Sequence, residues 1–120
     1  NPDRSADMIR RAVRRKSGRD VAVIISDTFG RPFREGQLNV AIGVSGMQPI
    51  KDYRGSIDIF GKELKITEIA VADEVASAAE LVMRKSDHVP LAVVRGLIYE
   101  KKRQGSAREL IRERKNDLFR

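Results

Sequence analysis

Asp27 and Thr28 follow a run of five apolar, mostly β-branched residues, Val21-Ala22-Val23-Ile24-Ile25. Such a run predicts a strand buried on both faces. The run stops at Ser26-Asp27-Thr28, and Gly30 and Pro32 impose a turn soon after. A carboxylate and a hydroxyl are thereby fixed side by side at the end of a rigid element. Hard cations such as Mg²⁺ or Mn²⁺ take oxygen ligands of this kind, usually one or two carboxylates beside substrate phosphates. Asp-Thr at a strand end is also a common turn or cap device, and the pair alone does not choose between the two roles.

Other charged residues offer chemistry of a looser kind. Arg31, Arg34 and Arg54 flank Gly-containing turns, which makes them candidate phosphate or substrate contacts and equally candidates for solvated salt bridges. The segment Met83-Arg84-Lys85-Ser86-Asp87-His88-Val89 leaves a predicted helix. Arg84 and Lys85 complement a helix C-terminus there or meet phosphate as point charges. A charged lysine has no lone pair to give a cation. Asp73 and Glu74 sit near the start of the same helix, where acidic groups suit the dipole. His88 is the only histidine and receives no acid–base task. No side chain is assigned as a catalytic nucleophile or base. No Gly-x-x-x-x-Gly-Lys-Ser/Thr and no Gly-x-Gly-x-x-Gly run is present, so motifs by themselves do not point to a nucleotide.

The elements that would hold these groups read as an α+β domain with short strands, mixed but mainly antiparallel, packed with one long and two shorter helices. A helix capped by Asp3 or Ser5 runs to Lys16, with Ala6, Ile9, Ala12 and Val13 on its apolar face and Gly18 ending it. The Val21–Ser26 strand is followed by a loop over 29–39 and a second strand from Val40 to Val44. A turn over Pro49–Gly55 precedes short strands at Ser56–Ile59 and Leu64–Ile66. The longest helix is expected from Thr67 to Met83, another buried strand from Leu91 to Val94, and a short helix from Ala107 to Glu113 with Ser106 as cap. At 120 residues and 13.5 kDa the chain is one domain or part of one, residues 1–120.

Absent cysteine excludes disulfides, thiolate catalysis and Cys-based metal sites, and fits a cytoplasmic setting. No apolar run reaches membrane-spanning length. The net charge is +7. Residues 1–19 carry 7 basic against 2 acidic side chains and residues 95–120 carry 9 against 4, while the middle carries 8 against 11. Basic ends suit a polyanionic partner, and a non-catalytic basic module for nucleic acid or another polyanion is the competing reading. With 5% aromatic residues and no Trp, the chain lacks the stacking platforms of single-strand binders, so nucleic acid is the less expected partner.

Several blocks in order carry a more specific signal. They are Ser26-Asp27-Thr28-Phe29-Gly30-Arg31-Pro32-Phe33-Arg34, Gly36-Gln37-Leu38-Asn39-Val40-Ala41-Ile42-Gly43, Asp52-Tyr53-Arg54-Gly55, Thr67-Glu68-Ile69-Ala70-Val71-Ala72-Asp73-Glu74, Pro90-Leu91-Ala92-Val93-Val94-Arg95-Gly96 and Asn116-Asp117-Leu118-Phe119-Arg120. At these spacings the chain resembles the γ-glutamyl ligase family of the deazaflavin coenzyme F-420, and specifically its C-terminal half. The resemblance implies a GTP-dependent amide ligase that joins L-glutamate to the coenzyme F-420 precursor and releases GDP and phosphate. It implies Asp27 and Thr28 as ligands of Mg²⁺ or Mn²⁺, with K⁺ as a further candidate ion, and residues Met83 to Val89 as part of the GTP site. It also implies a homodimer. Two departures stand out: the family commonly has Gly at the position of Arg84, and some members place an acidic or amide side chain at that of Lys85. The family's further metal-binding Asp belongs to the upstream half, so this chain alone is not expected to complete ligation.

Overall fold

The computed structural model describes residues 1–117; of the closing block, Leu118, Phe119 and Arg120 lie outside the described residues. Helix α1 spans Pro2–Ser17. Its cap is Asn1, whose Oδ1 accepts from the Arg4 N–H at 3.2 Å, rather than Asp3 or Ser5. Pro2 suits the first helical position because its missing N–H would have no partner there. Gly18, at φ 70°, closes the helix and donates to the Arg14 carbonyl. Of the expected apolar face, Ala6 is fully buried, Ala12 and Val13 are half-buried, and Ile9 is exposed.

Strands β1 (Val23–Arg31) and β2 (Arg34–Ser45) form an antiparallel hairpin. The expected loop over 29–39 is therefore mostly strand, and only Pro32-Phe33 turns the chain. Glycines and arginines there suggested a loop because they carry no apolar alternation. The pairing is set by the backbone ladder, which extends past the buried region into solvent. β1 is also not buried on both faces: Val23 to Ser26 are half-buried and Asp27 to Gly30 are exposed. Register runs Ile25↔Gly43 and then Ser26↔Ala41, so Ile42 is a bulge on β2.

Two-residue strands β3 (Lys51–Asp52) and β4 (Glu68–Ile69) pair antiparallel. Between them the expected strands at Ser56–Ile59 and Leu64–Ile66 reduce to one bridge, Ile57↔Glu63, with scattered hydrogen bonds such as Gly55 N–H to the Leu64 carbonyl at 2.8 Å. Asp58 Oδ1 accepts from the Phe60 and Lys62 N–H groups, both at 2.8 Å, and makes the tip. Helix α2 covers Val71–Met83, four residues shorter at its start than expected, and α1 is the longer helix. The chain makes no strand at Leu91–Val94, where Leu91, Val93 and Val94 are exposed; an apolar run specifies burial only if a partner edge exists. The expected helix at Ala107–Glu113 is a 3₁₀ turn over Ala107–Leu110, followed by another over Arg114–Asn116. Ser106 does cap the first, in a capping box with Glu109. With two helices and antiparallel strands the fold is α+β, as expected. None of the described helices is long and apolar enough to cross a membrane.

The core is small and centred on β2. Ala41, Val44, Met47, Ala72 and Ala107 are buried together, with Ala22, Ile24, Val71, Tyr99 and Leu110 packed around them. Backbones approach closely at two glycines. A Cβ on Gly43 would meet the Pro2 backbone at 2.5 Å, and one on Gly105 would strike the Met47 carbonyl oxygen. Gly43 thus lets α1 lie on β2, and Gly105 lets the C-terminal segment lie on residue 47.

Asp3 joins three parts of the chain. Its carboxylate accepts from the Val44 N–H at 2.8 Å, the Ala107 N–H at 3.0 Å and the Ser106 hydroxyl at 2.6 Å. Burial raises its pKa, but the Ser106, Ala107 and Val44 hydrogen bonds outweigh that and hold it below the ordinary carboxylate range. Glu109 is also lowered, with burial opposed by Lys102 and the Ser106 N–H. A depressed folded pKa means stability that is present above the unfolded value and lost as pH falls through the folded one. Urea unfolding followed by circular dichroism should therefore show stability falling below about pH 4. Asp3→Asn should cost about 2 kcal/mol at neutral pH and flatten that acid slope. An unchanged midpoint would remove Asp3 from its place as the junction.

Candidate functional site

The hairpin register places Thr28 directly opposite Asn39, and Asp27 opposite Val40. Asn39 is 6% exposed, the more buried member of the pair, while Thr28 faces solvent. Helix α2 fixes Asn39 from behind: Ser77 Oγ donates to its carbonyl at 2.8 Å, and one turn earlier Asp73 Oδ1 accepts from the Ala41 N–H at 2.8 Å. Asp73 thus has the structural duty expected of it, through a bond to β2 as well as through its place in the first turn of α2.

The chain leaves α2 at Arg84 with φ 50° and ψ 175°. That region is almost reserved for glycine. His88 follows at φ 56°. Two of the three non-glycine residues with positive φ among the described residues therefore lie in this one connection. The unusual turn brings Lys85 back over the hairpin. Its Nζ donates to Thr28 Oγ1 and to Asn39 Oδ1, both at 2.7 Å. Thr28 Oγ1 also lies 3.5 Å from Asn39 Oδ1, so ammonium, hydroxyl and amide close a triangle. A cleft of about 220 Å³ opens here, lined by Thr28, Gln37, Leu38, Asn39, Glu80 and Lys85.

The structure thus brings Thr28 and Lys85 together from opposite ends of the chain's middle. Asp27 is adjacent, with Oδ1 accepting from the Thr28 N–H at 2.7 Å. Met83 ends α2. Arg84 pairs with Asp87 at 3.2 Å, and Ser86 Oγ donates to the Asp87 carboxylate at 3.3 Å, so these three hold the connection's own shape. His88 and Val89 are exposed. Arg31 and Arg34 face each other at the hairpin tip, where Arg31 Nη2 donates to the Glu35 carbonyl at 2.6 Å and Arg31 Nε is buried with no partner. Arg54 is held by Asp52, at 2.6 Å, and Glu68, at 3.2 Å, across the β3–β4 pair. The hydrogen bonds from Arg54 hold the Asp52 carboxyl below its ordinary range. Asn39 was not singled out from sequence. The signal that would have found it is pairing: a hairpin whose strands continue through 29–39 puts residue 39 across from Thr28.

Two hard oxygens, the Asp27 carboxylate and the Thr28 hydroxyl, are of the type that Mg²⁺ or Mn²⁺ binds, and the Asn39 amide oxygen is a third. In kind these donors suit such an ion; in this structure the Thr28 and Asn39 oxygens both accept from Lys85 Nζ, and Asp27 lies next to the cleft rather than in its lining. No group of three or more His, Asp, Glu or Cys side chains that could hold a metal occurs among the described residues. A larger cavity of about 650 Å³ lies elsewhere, between the start of α1, β2 and the C-terminal turns, and includes Phe29, Ile42, Arg108 and Arg112.

Arg84→Gly tests the strained turn. Relief of about 1–3 kcal/mol should exceed the lost exposed ion pair with Asp87 and the added freedom of the unfolded chain. The expected result is a melting temperature higher by about 4 °C, from about 1 kcal/mol net. A lower melting temperature would show that Arg84 is comfortable in this conformation.

Comparison with known proteins agrees with the blocks read from the sequence. Residues 1–96 match the family described as F420-0:Gamma-glutamyl ligase. Proteins named coenzyme F420:L-glutamate ligase from Methanococcus maripaludis and Methanocaldococcus jannaschii are each 47% identical over 121 residues, covering 100% of this chain and 48% of the relative. One of the same name from Methanopyrus kandleri is 52% identical over 124 residues, covering 100% of this chain and 49% of the relative. The chain thus spans about half the length of the curated relatives it matches. With a match running through α1, the hairpin, α2 and the connection that carries Lys85, the chain belongs to the F420-0:gamma-glutamyl ligase family.

Proposed function

We propose that this chain is part of a GTP-dependent ligase that adds L-glutamate to the deazaflavin coenzyme F-420-0 through a γ-glutamyl peptide bond. The observation that carries the reading is family membership over residues 1–96, together with relatives bearing that ligase name at about half identity across the whole chain. The chemistry needs a leaving group, because a carboxylate is a poor electrophile. The carboxylate oxygen takes the γ-phosphoryl group of GTP, the bond to the GDP oxygen breaks, and an acyl phosphate forms. The glutamate amine then attacks the acyl carbon, phosphate leaves, and the amine gives up a proton. Neither step requires a protein nucleophile, consistent with a chain without cysteine.

The residues of the cleft, with Asp27 next to Thr28, suit the phosphoryl half of this chemistry. Asp27 would hold Mg²⁺ or Mn²⁺, with the Thr28 hydroxyl, which also accepts from Lys85, as the second ligand; the ion supplies positive charge beside the phosphates when bound. Residues Met83 to Val89 would line the nucleotide site, with Arg31 and Arg34 reaching substrate from the hairpin tip. Arg54, engaged by two carboxylates, is the weakest of the proposed anion contacts. K⁺ is a further ion for which the assay below should be run.

The reading is tested by binding and turnover together. Asp27→Asn keeps the side chain's shape, so the fold should survive while Mn²⁺ and GTP affinity fall at least tenfold, about 1.4 kcal/mol, by calorimetric titration. Unchanged metal affinity would remove Asp27 from the site. Mass spectrometry of the coenzyme F-420 precursor after incubation with GTP, L-glutamate and a protein spanning the relatives' full length should show gain of one glutamyl residue. That gain should depend on GTP, and product formed equally well without nucleotide would overturn GTP dependence. A homodimer is part of the proposal, supported by exposed Ile57, Ile59, Phe60 and Ile66 on the arm between β3 and β4. Light scattering at micromolar concentration should give twice the monomer mass, and a clean monomer would refute it.

A further inference from the structure

The Lys85 ammonium is held by two neutral oxygens, the Thr28 hydroxyl and the Asn39 amide, each at 2.7 Å. Among the described residues no carboxylate forms an ion pair with it. Glu80 lines the same cleft without pairing to it. An ammonium has three N–H donors, and these two bonds use two of them. Thr28 Oγ1 accepts from Lys85 and donates its own hydroxyl hydrogen to Asn39 Oδ1 at 3.5 Å, so both oxygens keep a lone pair for the one cation. Two features show that the arrangement is built. The Asn39 oxygen belongs to a buried side chain whose backbone is tied to Ser77, and Lys85 is delivered by a backbone turn at Arg84 that costs free energy to hold.

We propose that Lys85 is a tethered cation of this cleft. It fills the Thr28–Asn39 oxygen pair, which a free metal ion would otherwise share, and offers its remaining N–H to an oxyanion of phosphate type. Asn39 is the positioning residue that aims it. Part of the positive charge facing the anion is thus supplied by the protein, and an ion that used the Thr28 hydroxyl as a ligand would meet a like charge that weakens its binding. Identifying the oxyanion with a nucleotide phosphate rests on the ligase reading above; the oxyanion subsite itself does not.

Pyrophosphate in the presence of EDTA is the probe, titrated calorimetrically into the 120-residue chain. Wild type should bind without any divalent ion. Lys85→Met should bind at least tenfold more weakly, Lys85→Arg should stay within threefold, and Lys65→Met, which removes an exposed charge elsewhere, should change affinity less than twofold. Asn39→Ala should cost about fivefold in the presence of Lys85 and nothing further in Lys85→Met, since a positioning residue has no effect once its target is gone. In separate Mn²⁺ titrations, Lys85→Met should bind the ion about fivefold more tightly. Circular dichroism melts confirm that each variant is folded, and Lys85→Arg carries the test if Asn39→Ala is not. Equal pyrophosphate affinity for wild type and Lys85→Met, or equal losses in Lys85→Met and Lys65→Met, would overturn the proposal. Pyrophosphate binding that depends on Lys85, with no glutamate addition by a protein spanning the relatives' full length, would sink the ligase reading and leave the subsite standing.

Discussion

The outer edge of β2 is the constraint on which the rest of the structure depends. In a two-stranded sheet one edge of each strand lacks a strand partner, and a buried edge must have its polar groups satisfied some other way. β2 is buried at Asn39, at Ala41 and from residue 43 to its end at residue 45, and the chain stays buried through residue 47. Helix side chains take the place of a third strand. Ser77 donates to the Asn39 carbonyl, Asp73 accepts from the Ala41 N–H, and Asp3 accepts from the Val44 N–H. Residues 39 and 41 share an edge because they are two apart. The bulge at Ile42 shifts the parity so that 44, not 43 or 45, meets Asp3. Both helices are thereby docked on one strand by charge-assisted or hydroxyl hydrogen bonds as well as by alanine packing.

This explains why so much small and polar side chain serves a core whose central cluster is Ala41, Val44, Met47, Ala72 and Ala107. A helix whose Asp or Ser must reach a strand's backbone has to lie close, and only alanine and glycine permit that approach. Ala72 is fully buried and Ala76 nearly so, flanking Asp73 and Ser77 on α2, and Gly43 admits Pro2 at the start of α1. The same closeness lets a buried asparagine stand at the floor of the cleft without loss, since its backbone carbonyl is tied to Ser77 and its side-chain oxygen to Lys85.

Local chemistry was legible in the sequence where it is written in single residues. Gly18 ends α1 in the left-handed conformation, Ser106 caps its turn, and Met83 ends α2 as expected. What depends on a distant partner was not. Leu91–Val94 has the composition of a strand and remains exposed, while residues 29–31 and 34–39 lack that composition and are strand. Asp3 is a plausible cap by position and is instead used 104 residues away, at Ala107. The Asp27-Thr28 pair was visible, but Asn39 was not, because its relation to Thr28 exists only in the register of the hairpin.

The backbone conformation of Arg84 and the placement of Lys85 are physically linked. A glycine at position 84 would adopt φ 50° and ψ 175° freely, and this chain keeps that conformation with an arginine. The conformation is what turns residue 85 back toward β1 and β2. Had Arg84 relaxed to an ordinary helical or extended geometry, the bonds of Lys85 to Thr28 and Asn39 would be the first lost. Those bonds, with the Arg84–Asp87 ion pair and the Ser86–Asp87 hydrogen bond, are the interactions that over-determine the turn. An acidic side chain at position 85 would meet the same oxygens with lone pairs of its own and would require a separate cation between them. A lysine brings that cation covalently, so the turn at one residue delivers the charge at the next, and the bonds that charge makes help hold an arginine in a conformation it would otherwise leave.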